Sequence, residues 1–474
     1  MRKLIIISFL LFCLPVLGQE EDTLQFISGD DPDTLTLTAA DTMDLLTYLD
    51  SLKYLPCDST NSFTSLGTYC FPDFTIIDTN MRNVHPFVDY SKNNYRFYSD
   101  RSQNFELFYQ KFSEVLDTKE GKINMYHIGG SHLQADIYTH DVRTFMQTNW
   151  KGIGGERGWV FPFDLAQTNN PGNYEFSSPN RWNGYRCVSH KPRKYTEHDY
   201  GVLGAVTMCH DSVIQINFKY DRTEVKPPFN HIRIFHNKGE FPYFIHFGDE
   251  EILVTHTEHD PDLGATDIYF MDGLEEFDLQ FSRKGWYAPE LEIYGFLLMN
   301  DNPGVSYTSI GINGAGLYSY LDNIRFEEQL RQYPPDFFAF SVGTNDGNVP
   351  NRSFDPQKYK DNLEAMMKIV LNANPECALL LTVPNDSYYR RRYLNKNIAK
   401  ERTVIIELAE QYDMAVWDFY GIMGGLGSSK TWKYKKLMRS DLVHFTFEGY
   451  HFKGDLYVDG FMKFLEQMQH YTTQ

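Results

Sequence analysis

From Gly304 to the C-terminus, short apolar runs alternate with segments of helical periodicity, and this alternation limits the possible folds more than any other feature. "VSYTSIGI", "FFAFSVG", "CALLLTVP" and "MAVWDFY" have the length and apolar content of buried strands. After the second comes "DPQKYKDNLEAMMKIVLNA", entered through Asp355-Pro356, an N-cap residue followed by proline at the first helical position. "NKNIAKERTVIIELAEQYD" follows the third, and "FEGYHFKGDLYVDGFMKFLEQMQ" closes the chain; both are helical in pattern. Strands alternating with helices build a parallel sheet covered on both faces. The expected class is α/β, a three-layer α/β/α fold.

The same texture begins earlier. In "NFELFYQKFSEVL", Phe105, Phe108, Phe112 and Val115 recur at helical spacing, and "INMYHIG" reads as a buried strand ending at two glycines. Residues 166–300 interrupt it. In "SVIQINFKYD", Ile214, Ile216, Phe218 and Tyr220 alternate with Gln215, Asn217 and Lys219, the pattern of a strand with one wet face. "HIRIFH", "YFIHFGD", "FDLQF" and "LEIYGF" repeat the theme between turn clusters such as "HNKGE" and "DPDLG". Strands without intervening helices indicate an inserted β-sandwich. The expected layout is a signal peptide at 1–18, a leader or linker at 19–85, the α/β domain at 86–165 and 301–474, and the sandwich at 166–300. The leader is rich in Asp, Thr and Ser and holds one helix candidate, "TMDLLTYLDSL".

Arg2 and Lys3 precede an apolar run from Leu4 to Leu17, and Val16-Leu17-Gly18 suits cleavage. This is the pattern of a secretory signal, too short to span a membrane comfortably. Phe12 before Cys13 and the apolar residues after it argue against a lipid anchor, and no second long apolar run follows. A periplasmic or secreted protein without a transmembrane anchor is therefore expected. Cleavage removes two basic residues from a chain whose formal charge is already −19, which argues against nucleic acid as a partner. Five cysteines would remain; Cys57–Cys70 and Cys187–Cys209 are candidate local disulfides and Cys377 is left over. No Cys/His spacing suggests zinc.

Chemistry gathers at strand ends. Ser131 in "GGSHLQAD" follows "INMYHIG", Gly314 in "IGINGAG" follows "VSYTSI", and Asn345 in "SVGTNDGN" follows "FFAF". Open α/β sheets bind ligands at the carboxyl ends of their strands. Asp441 and His444, in "SDLVHFTFEGY", stand just before the last helix. A serine hydroxyl needs a base to accept its proton, and histidine does this near neutral pH. Asp441, three residues before His444, would hold the imidazole through Nδ1–H and leave Nε2 for Ser131. The N–H groups of Ser131 and Gly314 and the amide of Asn345 would receive an oxyanion.

Ser131, Gly314, Asn345 and the Asp441/His444 pair stand in the order of the four blocks of the SGNH (GDSL-like) hydrolases, which the chain resembles over roughly 86–474. "GGSHLQAD", a long β-rich insertion and then "GINGAG" resemble the peptidoglycan O-acetylesterase branch, whose members carry a carbohydrate-binding-like sandwich between the first two blocks. Two departures stand out. The usual Gly-Asp-Ser is Gly129-Gly130-Ser131, which bears on loop geometry because the missing Asp transfers no proton. In the second block Gly311 is an alternative donor, although Gly314 fits the family spacing better. Leu133 at the second glycine position of G-x-S-x-G disfavours the ordinary α/β-hydrolase elbow.

Several other features have structural readings. His127 is expected to be a hydrogen-bonded core residue, His132 to shape the pocket and His451 to be a packing or helix-surface residue. "GIGGERGWVFPF" lacks the lysine of a phosphate loop and is expected beside the site, with packing and sugar contact both open for Trp159 and Phe161. Trp182, Tyr185 and Trp286 are read as core aromatics before sugar platforms. Arg390-Arg391-Arg392 is read as a solvated helix start, with a grip on anionic glycan as the secondary reading. The expected function is an exported serine esterase removing O-acetyl groups from a glycan, peptidoglycan through the resemblance, with no metal or organic cofactor. Its rivals are a polysaccharide O-acetyltransferase and a non-catalytic glycan-binding protein.

Overall fold

The computed structural model describes residues 24–26, 35–37, 76–98, 102–188, 199–248, 252–286 and 288–472. The signal segment, the helix candidate of the leader and the Cys57–Cys70 pair lie outside the described residues. The packed domain begins earlier than residue 86. Ile76 and Ile77 are buried, Asp78 caps the helix Thr79–Val84, and Arg96 bridges the backbone of Val416.

Helix α1 (Gln103–Thr118) leads into strand β1 (Lys122–Gly129), followed by helix α2 (Tyr138–Thr148) and strand β2 (Gly154–Glu156). After the β-rich insertion come β3 (Gly304–Gly311), β4 (Phe337–Ser341), helix α3 (Pro356–Ala373), β5 (Ala378–Thr382), helix α4 (Asn397–Tyr412), β6 (Ala415–Trp417) and helix α5 (Phe447–Thr472). The six strands form one parallel sheet in the order β6-β5-β4-β1-β3-β2. Alternation along the strands supplies both faces. Phe337 packs on Phe105 and Phe108 of α1, while Phe338 and Phe340 join the cluster that holds Leu363 and Met366 of α3 and Ile405 and Leu408 of α4. The fold is thus α/β with helices on both faces of the sheet. Asp355 caps α3 by accepting from the N–H groups of Gln357 and Lys358, as its sequence predicts.

The insertion is two antiparallel sheets. One runs Val254–Asp260, Ala265–Leu274, Phe229–His236, Leu291–Met299, Ala205–Cys209 and Trp182–Arg186; the other runs Tyr243–Phe247, Glu276–Arg283, Val213–Tyr220 and Tyr174–Ser177. Phe176, Phe218, Phe277 and Phe296 meet between them, and Ile214, Ile216, Phe218 and Tyr220 face inward as their alternation requires. The sandwich also recruits chain from before residue 166: Gly158–Val160 pairs with Leu291–Met299. Half of "GIGGERGWVFPF" is therefore strand rather than loop, with Gly154–Glu156 in the parallel sheet and Gly158–Val160 in the sandwich. Trp159 is buried against Phe235 and donates to Tyr126 Oη, and Phe161 is buried. Trp182 lies in the sandwich core, whereas Trp286 is 94% exposed.

Cys187 and Cys209 are free thiols. Cys209 pairs across the ladder with Trp182, while Cys187 N–H bonds Gly204 O at the other end of the same strand. The separation is about 16 Å of strand at ~3.3 Å per residue, well beyond the reach of a disulfide. Cys377 is buried and free. Arg390–Arg392 does not start a helix. These residues join two short antiparallel strands, Tyr388–Tyr389 and Tyr393–Leu394, and Arg390 and Arg391 have φ of 52° and 59°.

Candidate active site

Strands β4, β1 and β3 are neighbours, and Ser341 and Gly311 both stand level with Gly129. The three loops that follow therefore leave the sheet side by side. After β1 the chain turns at Gly130, whose carbonyl accepts from the N–H groups of Leu133 and Gln134 and so starts a helical turn at Ser131. A Cβ on residue 130 would lie 2.8 Å from Asn345 Nδ2 and 3.3 Å from Ala315 O, so any larger residue there would require the Asn345 amide to shift.

Ser131 Oγ lies 2.7 Å from His444 Nε2, and His444 Nδ1 lies 2.8 Å from Asp441 Oδ2. A carboxylate only accepts, so Nδ1 carries the proton and Nε2 is left as acceptor for the serine hydroxyl. Asp441 also accepts from the N–H groups of Val443 and His444 through Oδ1, each at 2.9 Å. The intervening Leu442 takes φ 58°, which turns the chain back so that both side chains point the same way. Partial burial pushes the Asp441 carboxyl up. The hydrogen bonds from the His444 ring and from the two N–H groups outweigh it and hold the carboxyl well below its ordinary range.

Gly311 and Gly314 differ sharply in surroundings. A Cβ at 311 would overlap the backbone of Leu133 and Gln134, so this glycine is spent on close packing of the serine turn against β3. Gly314 has φ 86° and occupies the third position of a turn closed by Ala315 N–H to Ile312 O, the type II position that favours glycine. Among the described residues, only Val188 approaches the position of its Cβ, at 3.5 Å. Asn345 Nδ2 donates to Ala315 O at 2.8 Å, which leaves its second N–H for another acceptor. The structure thus brings together all five residues singled out from the sequence.

Supporting residues complete the picture. His127 is buried, with Nδ1 on Tyr307 Oη at 2.8 Å and Nε2 on Ser341 Oγ at 2.6 Å, a hydrogen-bonded core residue. His451 is buried too, paired with Asp141 at 2.6 Å. The His132 ring lies 5.1 Å from that of His444, with Nδ1 2.9 Å from Tyr450 Oη. Burial, and next the neighbouring His444, hold His132 well below the usual histidine range, so it adds no cation beside His444. Two residues of "SHLQAD" were not singled out. Gln134 Oε1 accepts from Asn313 N–H at 2.6 Å, and its Nε2 donates to Asn169 O at 2.8 Å and to Thr168 Oγ1 at 3.1 Å. Asp136, buried at φ 46°, pairs with Arg143 at 3.0 Å and Arg157 at 3.4 Å and accepts from Thr139 and Asn173. The i, i+3 spacing of Gln134 from Ser131 was the available signal.

Residues 280–452 match the model of the GDSL-like Lipase/Acylhydrolase family. The chain carries a GDSL-like acylhydrolase domain. Gly314, Asn345, Asp441 and His444 fall inside the matched span, and Ser131 reaches the site from beyond the sandwich. A solved structure described as "Peptidoglycan O-acetylesterase in action, 5 min" aligns with TM-score 0.64 at 16% identity, covering 79% of this chain and 99% of that one. Shorter alignments reach an acetyl xylan esterase, AlAXEase (22% identity, 33% and 80% of the two chains, TM-score 0.27), and a lipase/acylhydrolase from Enterococcus faecalis (21%, 33% and 75%, TM-score 0.27). No curated protein matches the chain. The family match supports an SGNH-type carboxylic ester hydrolase, and the likeness of fold to the solved structure extends over 79% of the chain. Among the described residues no helix is long and apolar enough to cross a membrane.

Proposed function

We propose that the protein is an exported serine esterase that removes O-acetyl groups from a polysaccharide, with peptidoglycan as the favoured polymer. The unbroken line of hydrogen bonds from Ser131 through His444 to Asp441 carries this reading. His444 Nε2 takes the proton of Ser131 as Oγ bonds to the acetyl carbonyl carbon, and Asp441 stabilises the imidazolium that results. The carbonyl oxygen becomes an oxyanion received by the N–H groups of Ser131 and Gly314 and the free N–H of Asn345. Collapse breaks the bond to the sugar oxygen, which leaves with the proton from His444. Water, deprotonated by the same ring, then releases acetate and restores Ser131. No step asks for a metal or an organic cofactor.

The choice of polymer rests on the likeness of fold to a peptidoglycan O-acetylesterase and on the sandwich inserted after the first block. Acetate release from purified O-acetylated peptidoglycan, set against acetylated xylan, tests it. The peptidoglycan is expected to be deacetylated faster, and release from xylan alone would refute the polymer while leaving the esterase standing. Ser131→Ala is expected to lower turnover of either polymer and of p-nitrophenyl acetate by about 10³-fold or more. Serine-independent turnover would refute the mechanism.

A further inference from the structure

The chain carries a formal charge of −19, yet residues 387–400 and 427–440 each hold five basic residues and no acidic one. The fold brings these two stretches together. Lys430 Nζ lies 5.0 Å from the Tyr388 ring, and Ser429 donates through its N–H to the carboxylate of Asp386 at 3.0 Å. Both stretches border the loop that bears the catalytic pair: Tyr388 N–H bonds Leu442 O at 3.1 Å, and the second stretch runs directly into Asp441. Arg390 is two residues past Tyr388, at most about 7 Å of extended chain.

Arg390, Arg391, Arg392, Lys430, Lys433 and Lys436 are all exposed, and none makes an ion pair among the described residues. Arg390, Arg391 and Lys436 take φ of 52°, 59° and 60°, a left-handed conformation that Gly or Asn would occupy more easily. The Arg390 and Arg392 guanidinium groups lie over the rings of Tyr389 and Tyr393, at 5.3 Å and 5.6 Å. Stacked guanidinium groups present their N–H forks in a fixed plane, which suits carboxylate.

We propose that this basic rim binds carboxylate groups of an acidic glycan, so that the preferred substrate is an O-acetylated polymer bearing carboxylates near the ester. The inference rests on the esterase reading and narrows its substrate class. A glycan is favoured over an anionic membrane because the rim adjoins the loop of His444. A polymer whose ester lies at Ser131 would run across the rim, whereas a bilayer seated there would cover the site.

The test compares O-acetylated polygalacturonate with acetylated xylan. Wild type is set against Arg390→Asn/Arg391→Asn/Arg392→Gln, in which asparagine suits the left-handed positions and keeps the turn. The acidic-to-neutral ratio of kcat/KM is expected to fall about tenfold in the variant, and in wild type to fall as salt is raised. Adding Lys433→Gln and Lys436→Gln is expected to lower it further. A ratio unmoved by the substitutions and by salt overturns the proposal. Retention of Ser131→Ala protein by unesterified polygalacturonate in affinity electrophoresis reads the rim without turnover. If no polymer is deacetylated but this retention is lost in the arginine variant, the esterase reading fails and the rim stands. Tighter binding to phosphatidylglycerol vesicles than to polygalacturonate overturns it in favour of a lipid surface.

Discussion

Ser131 rides on a turn whose supporting groups are almost all buried, whereas His444 rides on a partly exposed loop capped by its own Asp441. On the serine side, the side chains of Asp136, Arg143 and Arg157 are 3%, 4% and 5% exposed, and their partners come from α2, β3 and the sandwich-side residue Asn173. On the histidine side, Asp441 caps two N–H groups of its own loop, and the Asp441 and His444 side chains remain 24% and 33% exposed. Ser131 is thus placed by buried tertiary packing, and His444 by a local cap with backbone ties to Tyr388 and Asn385. Damage to the first should appear as lost stability, and damage to the second as lost rate with the fold intact.

The most demanding contrast is Asp441→Asn. Asparagine keeps an oxygen for the N–H groups of Val443 and His444, so the thermal midpoint is expected to move little. Turnover of p-nitrophenyl acetate is expected to drop about 10²–10⁴-fold, because the imidazolium loses its anion and the ring its tautomer. A large loss of midpoint with a small loss of rate would reverse the contrast.

Asp136→Asn is the complementary case. It leaves two buried guanidinium groups without their anion, and breaking a buried pair in this way costs about 3–5 kcal/mol. Denaturant unfolding should register that loss, and activity should follow the folded fraction. The pH dependence has a definite sign. Burial pushes the Asp136 carboxyl up, but Arg143 and Arg157 outweigh it and bring it to about 2. A depressed native value contributes stability that is complete above the unfolded value of about 3.9 and is lost as pH falls toward 2. Wild type should lose stability relative to the variant across that window. Parallel curves would show that Asp136 is not the ionised centre of the cluster.

How legible each region was in the sequence follows the same division. Phe105, Phe108 and Phe112 announced α1, and Asp355-Pro356 announced the start of α3, because the signal and its consequence lie within a few residues. Asp441 and His444 were readable for the same reason. The roles of Asp136 and Gln134 were not, since Gln134 reaches Asn313, 179 positions away, and Asp136 reaches Arg157 and Asn173 on later elements. The strand Val254–Asp260 escaped notice because "VTHTEHD" is an exposed edge with no apolar face. Arg390-Arg391-Arg392 read as a helix start because arginine favours helix and no glycine marks the turn. The left-handed backbone there belongs to the tight hairpin turn closed by Arg392 N–H to Tyr389 O, whose two central residues both take positive φ.

Gln134, on the serine side of the contrast, gives the smallest expected effect. Its Oε1 holds Asn313 N–H, one peptide before Gly314, while its Nε2 ties the Thr168–Asn169 segment to the serine turn. Gln134→Ala frees the Ile312–Ala315 turn, so the Gly314 N–H would meet the oxyanion less well aligned. The expected result is a fall in kcat of about 10-fold with KM little changed, since a misplaced oxyanion donor weakens the transition state alone. Gln134→Glu separates this role from mere packing. The carboxylate still accepts from Asn313 but cannot donate to Asn169, so kcat should recover most of its loss while the thermal midpoint does not. If Glu is no better than Ala in kcat, the hydrogen bond to Asn313 does not position the oxyanion turn, and Gln134 belongs with the structural side alone.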